Sequence, residues 1–448
     1  MTSDSPPIVI VGAGLAGLSA AIDLAEAGQR TLLIERRPFA GGKTYSFRDR
    51  RSGMEFDNGQ HIYLRCCTAY VALIRKLGLQ RQMREQDHLR VPVLDPASGV
   101  TSAIEATPGL PPPLHIAPSL LQYRHLGLRQ KLRLGRPIWA MLRMGDDGRR
   151  ELEDVSFADW LGDQGQSVES IRSFWDLIVL PTCNDRSEAV SARQAILVFQ
   201  LGLLRDSRGA EIGVAKVGLS TVAERALDCF RAASGEVRFG SALDAIDHDG
   251  EWVTGVVLAN GDRIAARGAV LALPPQRAKA VLPDEWQRRF SALDEFEVAP
   301  IVNVHLELDG AVLREPFVAV LDAALQYVFN RSLIAGLPGP NQWLVCSLSG
   351  AHTASALSQQ QIVATTLAAL RQAFPEAAAA ELLQWRVVKE LDATFLPRPG
   401  LAPFRLGPTT SIPNLVLAGA WTDTEWPATM ESAVRSGQAA AAAVLRQG

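Results

Sequence analysis

Residues 8–37 read IVIVGAGLAGLSAAIDLAEAGQRTLLIERR. A β-branched run is followed by Gly12, Gly14 and Gly17 in GxGxxG spacing, a helical pattern through Ala27 and a second apolar run ending at Glu35. Strand, helix and strand in that order make a βαβ unit. The first glycine permits the tight turn, the second lets backbone approach a pyrophosphate, and the third lets helix and strand pack closely. Ala13, Leu15 and Ala16 fill the turn and the first helical positions, where unpaired N–H groups and the positive dipole end favour phosphate. Glu35, 18 residues after Gly17, is placed to accept hydrogen bonds from an adenosine ribose. A carboxylate there disfavours a 2′-phosphate and with it NADP, and leaves NAD and FAD.

The next residues, ERRPFAGGKTYSF (35–47), put a glycine doublet directly after the second strand. This arrangement resembles the FAD-binding branch of flavoproteins that includes amine oxidases, protoporphyrinogen oxidase and carotenoid desaturases. The resemblance implies FAD as cofactor, with Arg36, Gly41, Gly42, Lys43 and Thr44 close to it. DNGQH (57–61) then brings the chain back to the cofactor through Asn58, Gly59, Gln60 and His61. The chain holds no second GxGxxG, which argues against a separate nicotinamide domain.

At 448 residues the chain exceeds what one core sustains, so two or more lobes are expected. With 47% apolar residues, 21% charged residues and a net charge of −3, it reads as globular and not as a nucleic-acid-coating protein. Five scattered cysteines without a CxxC pair argue against a disulfide framework or a zinc site, and no metal is expected. No run approaches the roughly 18 to 20 apolar residues of a membrane-spanning helix.

The expected fold is α/β: a Rossmann-like, amine-oxidase-like FAD-binding domain with an inserted α+β substrate domain. The FAD domain is assigned residues 1–65, 211–275 and 406–448, the substrate domain 66–210 and 276–405. Residues 66–210 are expected to be mostly helical, with breaks at ATPGLPPP and LPTCND. Residues 235–275 read as a meander of short strands containing Leu243, with Asn260-Gly261 as a hairpin signal. APIVNVHLEL and QWLVCSLSG read as strands of an antiparallel sheet.

One stretch is basic and free of acids. Between Glu105 and Asp146 stand Arg124, Arg129, Lys131, Arg133, Arg136 and Arg143, interleaved with leucines, Tyr123 and Trp139. A basic face beside an apolar one near residues 117–144 predicts a membrane-facing helical segment, against the alternative of a solvated hairpin.

GGKTYSF, DNGQHIYLRCCTAY, FWDLIVLPTCNDRSEAVSA, KVGLS, KELDATF and LAGAWTDTEWPATMESAVRSG (417–437) together cover nearly the whole chain. They resemble the squalene-associated FAD-dependent desaturase-like family, the hydroxysqualene dehydroxylases of bacterial hopanoid and squalene synthesis. The resemblance implies reductive removal of an allylic hydroxyl from hydroxysqualene to give squalene, with non-covalent reduced FAD as donor. Such a site needs an acid at the leaving oxygen, aromatic faces around a cation and little water. His61 is the first candidate acid, with Asp423 and Glu425 as rivals. Trp421, Trp426, Tyr327, Phe329 and Trp343 are candidate pocket residues. Gly419, Ala420, Trp421, Thr429 and Met430 are candidate cofactor contacts, in a helix expected to begin around Pro427. The family has an aspartate where this chain has Ala420, and a glycine and a tyrosine where it has Arg65 and Cys67.

The implied partners are a hydrophobic C30 isoprenoid, the inner face of the cell membrane from the cytoplasm, and the prenyl-transferring enzymes of squalene synthesis; no nucleic acid is expected. Two other readings stay open: desaturation of a carotenoid-type substrate, and a catalytically silent FAD-bound isoprenoid carrier.

Overall fold

The structure is a computed structural model that describes residues 5–447 apart from 49–52, 54 and 323. Ile8–Val11 is the middle strand of a five-stranded parallel sheet whose order is Glu236–Arg238, Thr31–Ile34, Ile8–Val11, Gly268–Leu271 and Leu415–Leu417. Its strands come from well-separated parts of the chain. Side chains alternate between its faces. Ile8, Ile10, Leu33, Val270 and Val416 pack under the helices Leu15–Glu26, Ser220–Ala232 and Met430–Gln447. Val9, Val11, Leu32, Ile34, Leu271 and Leu417 pack under a three-stranded antiparallel meander, Leu243–His248, Val253–Leu258 and Arg263–Ala265. Each such aliphatic residue stabilises the fold by about 1.5–3 kcal/mol relative to exposure.

The second lobe is built on a seven-stranded sheet in the order Leu382–Phe395, Val298–Leu308, Gln342–Leu348, Tyr327–Asn330, Phe317–Val320, Arg90–Asp95 and Val100–Glu105. One face packs on the helix Gln359–Ala373. The other packs on helical segments between Phe157 and Leu204. The expectation of a mostly helical 66–210 therefore fails between the helix Thr68–Lys76 and about residue 114. Arg90–Asp95 and Val100–Glu105 are strands, and Met83–Glu85 joins Ile62–Leu64 and Ile212–Ala215 in a small antiparallel sheet. Pro92 inside the first of these strands and Pro108, Pro111, Pro112 and Pro113 after the second hide the alternation.

Candidate active site

The fingerprint loop is a cradle that side chains would fill. Gly12 has φ +101°, a region L-residues avoid, and a Cβ on Gly17 would meet the Gly12 carbonyl oxygen at 1.9 Å. The glycine doublet packs against this loop: the Gly41 N–H donates to the Ala13 carbonyl at 2.8 Å, and a Cβ on Gly42 would meet the Gly14 Cα at 2.8 Å. Leu15 and Ala16 open the helix, both buried. The buried Glu35 carboxylate accepts the Ala13 N–H and the Arg37 N–H, each at 2.9 Å, which fixes the ribose end of the cradle. Each oxygen keeps a further lone pair for a ribose hydroxyl. Leu243 is buried beside this end, where the Ser241 N–H donates to the Glu35 carbonyl at 2.9 Å. Arg36 points to solvent, whereas Arg37, which sequence reading passed over, donates to the Gly42 carbonyl at 3.0 Å and lies over the Tyr45 ring.

Lys43 turns to the far side of the doublet, where its ammonium donates to the backbone carbonyls of Asp392 and Ala393. Thr44 donates its hydroxyl to the Gly41 carbonyl at 2.8 Å and so braces the turn.

The loop Asp57–His61 joins the two lobes. Asn58 is buried and donates to the Lys43 carbonyl at 2.6 Å, while its Oδ1 has no partner. Gly59 is required here, since a Cβ would meet Asn303 Nδ2 at 2.4 Å. His61 is half-buried, with Nδ1 2.9 Å from the Gly59 carbonyl oxygen. A carbonyl only accepts, so Nδ1 carries the hydrogen and Nε2 is the ring nitrogen left for a further partner. Gln60 lines a cavity of about 240 Å³ together with Phe56, His305, Arg331, Trp343 and Val345. His305 is buried, its Nε2 lacks a partner, and burial pulls its pKa down to about 4.

The register of the large sheet puts Asn303, His305, Trp343, Val345, Tyr327 and Phe329 on one face. Three of the five candidate pocket residues therefore share a surface that also touches the DNGQH loop through Asn303. Tyr327 Oη donates to the Leu177 carbonyl at 2.7 Å, and its ring stacks on Phe329.

The C-terminal stretch returns to the fingerprint as the sequence suggests, but its polar residues take other roles. Gly419, at φ +146°, donates its N–H to Ser436 Oγ at 2.9 Å. Trp421 faces the core of the cofactor lobe, where its indole N–H donates to the Leu273 carbonyl at 2.9 Å and its ring packs on Phe296. Trp426 lies under the Arg435 guanidinium, packed on the side of the closing helix. Asp423 is exposed, and Glu425 pairs with Arg149 and Arg150 on the outside of the loop, so neither is held as a site acid. The closing helix begins at Met430 and not near Pro427, because Thr429 Oγ1 accepts the Ser432 N–H at 3.2 Å as its N-cap.

Two residues in this region escaped sequence reading. Arg405 is buried and donates to the carbonyls of Trp421 and Thr422 and to Gln194 Oε1, so it holds residues 420–424 from beneath; burial lowers its pKa to about 10. Ala420 needs no carboxylate for this, since its carbonyl accepts Ser432 Oγ at 2.8 Å. Glu431 is buried and accepts the N–H groups of Ala69 and Tyr70 at the start of the helix Thr68–Lys76.

A glycine cradle at a strand-to-helix turn, a carboxylate at its ribose end and an orphaned Asn58 oxygen between the lobes fit FAD, and together define a two-domain flavoprotein oxidoreductase fold. The chain belongs to the flavin-containing amine oxidoreductase family, whose model matches residues 15–445. It is 28% identical to hydroxysqualene dehydroxylase of Rhodopseudomonas palustris over 468 residues, covering 99% of each chain. It is 26% identical to a probable zeta-carotene desaturase of Synechococcus elongatus over 487 residues, covering 98% of each. A putrescine oxidase solved with putrescine bound shares the fold, with a TM-score of 0.75 at 20% identity over 99% of each chain. The protein is thus a flavin-dependent oxidoreductase with FAD as its cofactor. Among the described residues no helix is long and apolar enough to cross a membrane.

Proposed function

We propose that this enzyme reduces an allylic isoprenoid alcohol, hydroxysqualene, to squalene. The observation that carries the reading is the His61 imidazole, tied through Nδ1 to the Gly59 carbonyl in the loop that joins the cofactor lobe to the substrate sheet. The end-to-end match to a hydroxysqualene dehydroxylase supports it.

Bound in the cradle and reduced, FAD supplies two electrons and one hydrogen to the carbon. The chain's residues do the rest. His61, protonated at Nε2, gives its proton to the hydroxyl, which leaves as water; one C–O bond breaks and one C–H bond forms. Asn303 keeps the loop in place from the sheet side. Trp343 at the cavity, with Phe329 and Tyr327 on the same sheet face, offers π density to the allylic cation, and the aliphatic packing around Phe329 and Tyr327 keeps water from that side. No cysteine follows Cys346, so the C-terminal segment offers no thiol for a covalent bond to FAD.

A second reading, desaturation of a carotenoid-type chain, is favoured by the Synechococcus relative, which matches over the same extent. Product analysis separates the two. Anaerobic, dithionite-reduced holoenzyme given hydroxysqualene is expected to yield squalene. Unchanged hydroxysqualene, with new double bonds in a polyene given to the oxidised enzyme, would overturn the first reading in favour of the second.

A further inference from the structure

The helix Leu128–Arg143 carries two apolar stripes, and only one of them has a partner. Leu134, Pro137 and Met141 are buried against the body of the protein. At about 100° per residue, Leu128, Leu132, Trp139 and Leu142 fall within an arc of about 80° on the opposite side. They are 69%, 70%, 59% and 42% exposed. The preceding helix Ala117–Gln122 adds Leu121 at 66%, and the turn before it Leu114 at 57%. Single exposed leucines are ordinary, whereas a stripe of this kind marks an interaction surface.

The face is held firmly. Lys131 donates to the Leu121 carbonyl at 2.7 Å, the Tyr123 hydroxyl to the Ser173 carbonyl at 2.7 Å, and Gln166 to the Arg133 carbonyl at 2.9 Å. One shoulder of the stripe, about 60–100° from its centre, bears Arg129, Arg136 and Arg143. The Arg143 guanidinium lies 4.6 Å from the centre of the Trp139 ring, the pairing of cation and aromatic that suits a headgroup layer. No acidic residue occurs between Glu105 and Asp146 to offset this charge.

We propose that this face lies flat on an anionic lipid bilayer, with Leu121, Leu128, Leu132 and Trp139 below the headgroups and the arginines among their phosphates. A second copy of the chain packed antiparallel on this face fits less well, because the two-fold would set one arginine row beside the other. The apolar cluster that buries Leu134 and Met141 also contains Phe329 and Val345 of the substrate sheet, so the surface and the candidate pocket share one core. The proposal stands independently of which reaction the enzyme performs.

Vesicle co-sedimentation of the FAD-loaded full chain tests it, with vesicles of phosphatidylglycerol and phosphatidylcholine against phosphatidylcholine alone. Binding to the anionic vesicles is expected to be about tenfold stronger, and to fall about tenfold in Leu128→Ser/Leu132→Ser/Trp139→Ser and in Arg129→Glu/Arg136→Glu. Retained flavin shows that each variant is folded. Unchanged vesicle binding in both variants would overturn the proposal. So would a solution dimer that the leucine variant makes monomeric while neither protein binds vesicles.

Discussion

Gly437 of the closing helix lies against Ala16 of the fingerprint helix, so near that a Cβ on Gly437 would meet the Ala16 carbonyl oxygen at 2.2 Å. This approach brings the last helix of the chain to the phosphate-binding turn and explains why two segments four hundred residues apart serve one cofactor. Gly437→Val is expected to push the helices apart, cost about 3 kcal/mol and lower flavin occupancy, read by thermal unfolding and by absorbance of the purified protein. Normal flavin content with an unchanged melting temperature would contradict the contact.

Arg405 acts through the loop it supports. Arg405→Met leaves the carbonyls of Trp421 and Thr422 without their buried donor, and a loss of about 2–4 kcal/mol is expected in chemical denaturation. FAD should dissociate more readily from this variant; affinity equal to wild type would show that the loop holds its shape without the guanidinium.

His305 gives stability a pH dependence. An unfolded histidine takes up a proton near pH 6.5, and the buried His305 only near pH 4. Between those values the unfolded chain binds more protons, so stability falls as pH falls. The full effect is on the order of 3 kcal/mol. His305→Gln should flatten this part of the profile, and a slope that survives the substitution would assign it to other groups.

Ala420→Asp should retain FAD as well as the wild type does, because Ser432 and Arg405 already hold the Ala420 carbonyl. Equilibrium dialysis of flavin from the two proteins checks this. Marked loss from the variant would mean that the side chain at 420 faces the cofactor in a way the backbone contacts do not capture.

The parts of the fold that were legible in the sequence are those fixed by local period and glycine spacing. Gly12, Gly14 and Gly17 between two β-branched runs define the central βαβ unit, and Asn260-Gly261 marks a real hairpin turn between Val253–Leu258 and Arg263–Ala265. Long-range pairing was not legible. Glu431 pairs with Arg435 one helical turn on, and its carboxylate also caps a helix 361 residues earlier, which no local pattern signals. Trp421 reads as a pocket aromatic, but its indole N–H finds a core carbonyl. Asp423 and Glu425 read as acids beside a cofactor, and only the course of the loop shows one of them facing solvent and the other two arginines. Thr429 was the available signal for the true helix start, since a threonine three residues before a serine N–H outweighs a proline at the first turn.

In the proposed reaction His61 protonates an allylic hydroxyl while reduced FAD reduces the carbon. Anaerobic single-turnover mixing of reduced holoenzyme with hydroxysqualene tests it most directly. One squalene is expected per flavin reoxidised, with loss of both in His61→Ala while bound flavin is retained. Flavin that stays reduced in the wild type, or squalene formed equally fast by His61→Ala, would contradict it.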